Sequence, residues 1–162
     1  MTSKKAIIVT GTPAAGKTTA AKMIAEHING TYIDVNIIIE EKNLSEGYDN
    51  EMDCKIIDTD KLNLSLIEMI DNSQKTLVID SHMSHYIPKE HVSLCIVINC
   101  ELKELKKRLE ERGYSTAKVK ENMDAEIFDI CRTEAEEAGH RIITLTSSGT
   151  LSIAEQIGGI NF

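Results

Sequence analysis

Residues 11–19 read Gly-Thr-Pro-Ala-Ala-Gly-Lys-Thr-Thr. Two glycines separated by four residues, then lysine and a hydroxyl, have the spacing of a loop that wraps its backbone around phosphates. Gly11 and Gly16 bracket a turn whose successive N–H groups point into one concavity. A helix opening near Lys17 aims its positive end at the same place. The Lys17 ammonium would neutralise β- and γ-phosphate charge, and the Thr18 hydroxyl would be a Mg2+ ligand. Thr19 is placed to reach the α-phosphate. ATP and Mg2+ are therefore the expected cofactors. The bland alternative is a glycine-bearing strand-to-helix turn with a solvated lysine. A random chain of this length matches the whole pattern about once in 200.

Three further groups have chemical potential. Asp80 ends the apolar run Thr76-Leu-Val-Ile-Asp80. An acid there matches the position that holds Mg2+ through water in phosphate-transfer enzymes. Alone, it reads as a turn or cap residue. His82 lies two residues on and faces the same side if the strand continues. It would orient a water or touch a phosphate, or else be an ordinary polar residue, as His85 and His91 are read. Arg108 and Arg112 share a helix face at i, i+4, and Gly113 breaks that helix beside Arg112. An arginine at such a junction suits a lid closing on a triphosphate. The bland account pairs both with Glu104, Glu110 and Glu111 on a solvated face.

The elements that must position these groups alternate along the chain. Ala6–Thr10, Tyr32–Val35, Thr76–Asp80, Leu94–Asn99 and Arg141–Thr146 read as strands. The longer ones are apolar throughout, as strands buried on both faces are. Helices are predicted over Lys17–Ile28, Ile37–Glu41, Leu62–Ile70, Leu102–Arg112, Lys118–Ala138 and Leu151–Ile157. Lys42–Lys55 is polar and irregular. Strands alternating with helices predict an α/β fold with a doubly wound parallel five-stranded sheet and ligands at the strands' carboxyl ends. Residues 1–162 read as a single domain.

The 162 residues carry 18 Lys plus Arg against 26 Asp plus Glu, a net charge of −8. That argues against strong direct binding to nucleic acid and fits a basic protein partner. Only four cations are arginines, and none precedes Arg108. This is sparse for a phosphate enzyme, because the guanidinium fork binds phosphate bidentately. No apolar run approaches the ~20 residues that span a bilayer. Met1–Lys5 does not read as a signal peptide. The four scattered cysteines lack metal-site spacing and read as reduced thiols, so a cytoplasmic or nuclear location is expected.

Several blocks in order resemble one family, the small archaeal and eukaryotic adenylate kinases typified by the coilin-interacting nuclear ATPase. They are Gly11–Thr19, Glu46-Gly-Tyr-Asp-x-x-x-Asp-Cys54, Val78-Ile-Asp-x-His82, Leu109-Glu-x-Arg-Gly-Tyr114 and Asn122-x-x-x-Glu-Ile-Phe128. The resemblance implies an adenylate-kinase-type P-loop fold. Its monophosphate-binding segment would be about 30–53 and its short lid about 111–121. It implies phosphoryl transfer from ATP to AMP, ATP hydrolysis, and a role in small ribosomal subunit maturation beside a platform ribosomal protein of the S-eleven family. It places Gly11, Ala14, Ala15, Gly16, Lys17, Thr18, Thr19 and Arg112 at the ATP site, Lys17, Asp80, His82 and Arg112 in catalysis, and Thr18 and Asp80 at the metal.

Two departures stand out. Ala14 occupies a position where the family commonly has glycine, a mild change if its φ is negative. Glu40 stands where members that phosphorylate AMP often carry arginine. Lys42, Arg108 and Arg132 are the remaining candidates for the acceptor phosphate. Three readings follow: a nucleoside monophosphate kinase, an ATPase in which water replaces AMP, and, as the blander one, a P-loop kinase of another small metabolite; the first two are compatible.

Overall fold

The computed structural model describes residues 5–51 and 54–162. Five strands form one parallel sheet: β1 (Ala6–Thr10), β2 (Thr31–Asp34), β5 (Leu77–Asp80), β6 (Val92–Asn99) and β7 (Ile142–Thr146). Their spatial order is β2-β5-β1-β6-β7. Side chains alternate across a strand, so the apolar runs supply two cores. Ile7, Val9, Val78, Ile96 and Ile98 pack under α1 (Lys17–His27), α4 (Leu102–Glu111) and α7 (Ile153–Gly158). Ala6, Ile8, Ile79, Cys95 and Val97 pack under α2 (Val35–Glu41), α3 (Thr59–Asn72) and α6 (Ile130–Glu137). The doubly wound α/β sheet expected from the sequence is the fold observed.

Capping follows the local chemistry. Asp34 accepts from the Asn36 amide at 2.9 Å and starts α2, and Asp58 accepts from the amides of Asp60 and Lys61 and starts α3. A side-chain oxygen there satisfies an amide that the helix itself leaves orphaned. Helix α1 differs, because its cap is Gly16, which makes no side-chain cap bond.

Two expectations need correction. The stretch read as irregular contains an antiparallel hairpin, β3 (Ser45–Asp49) with β4 (Cys54–Ile57). Most of its residues are exposed. A ribbon with no buried face needs no apolar alternation, so the period-2 signal was absent. Asp53 of the Glu46–Cys54 block lies outside the described residues.

The helix expected over Lys118–Ala138 is two helices, α5 (Thr116–Ile127) and α6. The break falls at Phe128 and Asp129, where Asp129 takes φ 53°. Val119 of α5 joins the core under α1 and α4, whereas Ala135 of α6 joins the core under α2 and α3. The chain changes faces of the sheet between them. Aspartate tolerates the left-handed conformation better than most residues, so the turn needs no glycine.

Candidate functional site

The loop between β1 and α1 shows why its glycines are required. Gly11 has φ 149°, and a Cβ there would sit 2.6 Å from the Ile98 carbonyl oxygen. Gly16 has φ 109° and would crowd Ser147 at 3.1 Å. Ala14 corrects the expectation of a mild replacement, since its φ is 70°. An L-residue with a Cβ pays about 1 kcal/mol or more for that conformation.

The loop is braced from behind. Arg108 donates through Nη1 to the carbonyls of Ala14 at 3.2 Å and Ala15 at 3.3 Å, and through Nε to Glu104 at 3.2 Å. The Ser147 hydroxyl also donates to the Ala15 carbonyl. These bonds hold the carbonyls back. A planar trans peptide then turns the Gly16 amide the other way. Arg108 thus spends its Nη1 on the nucleotide loop and its Nε on Glu104 while also lining the cleft.

The Lys17 ammonium folds back to donate to the Thr12 carbonyl at 3.2 Å. Burial lowers its pKa to about 8, partly opposed by the Asp80 carboxylate. The Thr18 hydroxyl donates to Asp80 Oδ2 at 2.8 Å. The two residues expected at the metal therefore touch across the gap between α1 and β5. Together they offer hard oxygen donors, and no cluster of three or more His, Cys, Asp or Glu suited to a metal exists among the described residues. Such a sparse donor set suits Mg2+, which keeps most of its waters and takes the rest of its ligands from phosphates. Thr18 would be the direct ligand and Asp80 would act through water.

A cleft of about 780 Å3 opens over this pair. Thr18, Thr19, Asp80, His82 and Arg112 all line it, so the structure brings the predicted groups together. Strand β5 ends at Asp80, and His82 reaches the cleft from the following turn. The residue as a whole is exposed. The surrounding protein mass lowers its pKa to about 4, with Lys17 contributing next. His82 is neutral at pH 7. Arg112 ends α4 beside Gly113, whose φ is 73°. Among the other candidates, Arg132 bonds to Asp129 and to Glu136 at 2.6 Å. Neither Arg132 nor Lys42 lines the cleft, and Glu40 pairs with Lys55 at 3.4 Å.

Sequence reasoning missed two parts of the site. The Tyr32 hydroxyl donates to Asp80 Oδ2 at 2.8 Å. Deeper in, buried His85 joins Thr10 to Glu134. Glu134 as a carboxylate only accepts, so His85 Nε2 donates to Glu134 Oε2 at 2.6 Å and Nδ1 accepts from Thr10 Oγ1 at 2.9 Å. Tyr86 donates to the same glutamate oxygen at 2.9 Å. Period-2 spacing along β2, which puts Tyr32 on the same side as Asp34, is the signal that could have found it. Nothing in the local pattern marked His85 or Glu134.

The AAA domain family model matches residues 7–129. A protein of Methanocaldococcus jannaschii is 35% identical over 151 residues, 93% of this chain and 82% of its own length. Proteins named adenylate kinase isoenzyme 6 homolog are 34% identical in Caenorhabditis elegans, over 82% of this chain and 72% of that one, and 35% identical in Dictyostelium discoideum, over 82% and 75%. The chain belongs to this adenylate kinase family. Its fold is also that of more distant kinases. Shikimate kinase from Acinetobacter baumannii superposes with TM-score 0.63 at 14% identity, covering 97% of this chain and 90% of that one. The family's P-loop kinase fold accounts for the placement of the phosphate loop at the carboxyl end of β1.

Proposed function

We propose that the protein is a nucleoside monophosphate kinase, transferring the γ-phosphoryl group of ATP to AMP to give two ADP. The observation that carries this reading is the convergence of the Lys17 loop with the Thr18–Asp80 pair in one open cleft, in a chain whose relatives are named as adenylate kinases. An AMP phosphate oxygen attacks the γ-phosphorus, and the bond to the β–γ bridging oxygen breaks. No covalent enzyme intermediate is needed. Catalysis is then alignment plus neutralisation of charge on the migrating group. Lys17 and the loop amides hold the phosphates, and Arg112 closes on them from the lid at 111–121. Thr18 and Asp80 would hold Mg2+, which when bound would supply charge to offset that of the β- and γ-oxygens. Segment 30–53 holds the acceptor.

A second reading has its own support. Of the cations lining the cleft, Lys17, Arg108, Arg112 and Lys118 all lie on the phosphate-loop and lid side. With no guanidinium opposite them, water competes well for the acceptor position, and neutral His82 is suited to orient it. The protein is then also an ATPase. Its acidic charge of −8 supports a basic partner, the S-eleven-family platform protein of small ribosomal subunit maturation, in the cytoplasm or nucleus. ATP consumption by the pure protein, with and without AMP, separates the two. AMP-dependent ADP formation above the hydrolysis background is expected. Its absence overturns the kinase reading and leaves the ATPase. A complex with its own organism's platform protein on gel filtration, at micromolar concentration, tests the partner.

A further inference from the structure

Asp80 is only 6% exposed, yet one of its oxygens carries two hydroxyl donors. Thr18 Oγ1 and Tyr32 Oη both lie 2.8 Å from Oδ2. The Thr18 bond belongs to the phosphate loop, whose hydroxyl is the one required at the metal. When Thr18 turns to Mg2+, that bond to Asp80 is given up. The Tyr32 bond need not be.

The backbone explains why only a long side chain does this. Strand β2 pairs in parallel with β5, with Tyr32 opposite Val78 and Asp34 opposite Asp80. Tyr32 therefore starts two residues short of Asp80, on the same face of the sheet. Its phenol spans that step and arrives from the acceptor-side strand, while Thr18 arrives from α1. Tyr32 also packs at the margin of the core under α1 and α4, which fixes its ring. The Lys22 ammonium stands over the ring, 5.4 Å from its centroid.

We infer that Tyr32 is a positioning residue for the Mg2+ site: its hydroxyl holds the Asp80 carboxylate in place when Thr18 leaves it for the metal. Partners of this kind fix the orientation of metal-site carboxylates, and their loss typically weakens metal binding 10- to 100-fold. The inference rests on the ATP-dependent phosphotransfer reading. It adds a residue on β2, a strand within the proposed acceptor segment 30–53.

The test is ADP binding by titration calorimetry, with and without Mg2+, for the unaltered protein and Tyr32→Phe. Phenylalanine keeps the ring and its packing and removes only the hydroxyl. In metal-free buffer the two are expected to bind ADP equally within about twofold. The enhancement by Mg2+ is expected to fall about tenfold in the variant. An unchanged enhancement overturns the inference. A uniform loss with and without metal also overturns it, since that marks a merely structural role. Failure of the unaltered protein to bind ADP at all overturns the phosphotransfer reading, and the inference with it. Asp80→Asn and the double variant complete a cycle. If Tyr32 acts through Asp80, the double variant loses no more Mg2+ enhancement than Asp80→Asn alone. Additive losses mean that Tyr32 acts elsewhere, and overturn the proposal.

Discussion

The two walls of the cleft are built on different plans. One wall is a single stretch of chain, residues 11–19, braced by Arg108 and faced by Arg112 and Lys118. The other is assembled from the start of α2, the turn at Ser84–Tyr86, and α6. It presents Asp34, Asn36, Tyr86 and Glu134 to the same space. The first wall is cationic and suited to a polyphosphate. The second carries carboxylates. A monophosphate placed against it would draw its neutralisation from the cations across the cleft. The difference teaches that holding a triphosphate and accepting its γ-group are separable tasks, and that only the first is strongly built into one segment.

Breaking the cationic wall has the largest effect. Lys17→Ala is expected to lower turnover about a thousandfold, with or without AMP, as loss of a main electrostatic contact to the transferring group does. Retained turnover in a steady-state assay overturns the phosphate-loop assignment. Asp80→Asn comes next. Mg2+-dependent turnover is expected to fall about a hundredfold while metal-free nucleotide binding changes less than threefold. Equal losses in both measurements mark Asp80 as structural.

The pH dependence is smaller and has a definite sign. Burial lowers Lys17 to about 8 in the free protein, and bound phosphates favour its charged form. Nucleotide affinity is then full below pH 8 and falls as pH rises through it. ADP binding at pH 9 is expected to be about tenfold weaker than at pH 7 by calorimetry. Stability moves the other way. The folded value lies below that of the unfolded lysine, so folding disfavours the charged form. That penalty is complete below about pH 8 and fades towards pH 10.5. A flat affinity profile from pH 7 to 9 removes Lys17 from nucleotide binding.

Softening the acidic wall tests the other side of the comparison. Glu134→Gln keeps an oxygen that accepts from His85 and Tyr86 and removes one negative charge. The KM for AMP is expected to fall about threefold, with ATP hydrolysis in the absence of AMP unchanged, since one partly solvated charge is worth under about 1 kcal/mol. The smallest change is Ala14→Gly. Relief of the φ 70° conformation outweighs the added freedom of the unfolded chain. A rise in Tm of about 1–3 °C is expected by calorimetry.

The sheet was readable from sequence wherever strands are buried on both faces. Ala6–Thr10 and Leu94–Asn99 are apolar at every position that matters, and no other element explains such runs. Lys42–Lys55 was not readable as a hairpin, because its strands bury neither face. The division of α5 from α6 was hidden for another reason. Ile127, Phe128 and Ile130 continue an apolar helical pattern through the break, and neither glycine nor proline marks it. Only the two cores on opposite faces of the sheet make the turn at Asp129 necessary.

The same division runs through the site. Sequence by itself determined the phosphate loop, since its function resides in backbone amides and one lysine within nine consecutive residues, and local spacing dictates their geometry. It also marked Asp80 as the acid at the end of a buried strand. Tertiary structure decided what Asp80 touches. Thr18 is 62 residues from it in sequence and Tyr32 is 48, and parallel pairing brings both to one oxygen. It decided likewise that His85 meets Thr10 and Glu134, partners 75 and 49 residues away. It also turned Arg108 onto the carbonyls of Ala14 and Ala15, 94 and 93 residues away. A hydrogen bond between distant segments leaves no period in a sequence, because its geometry exists only once the sheet has set the strands side by side.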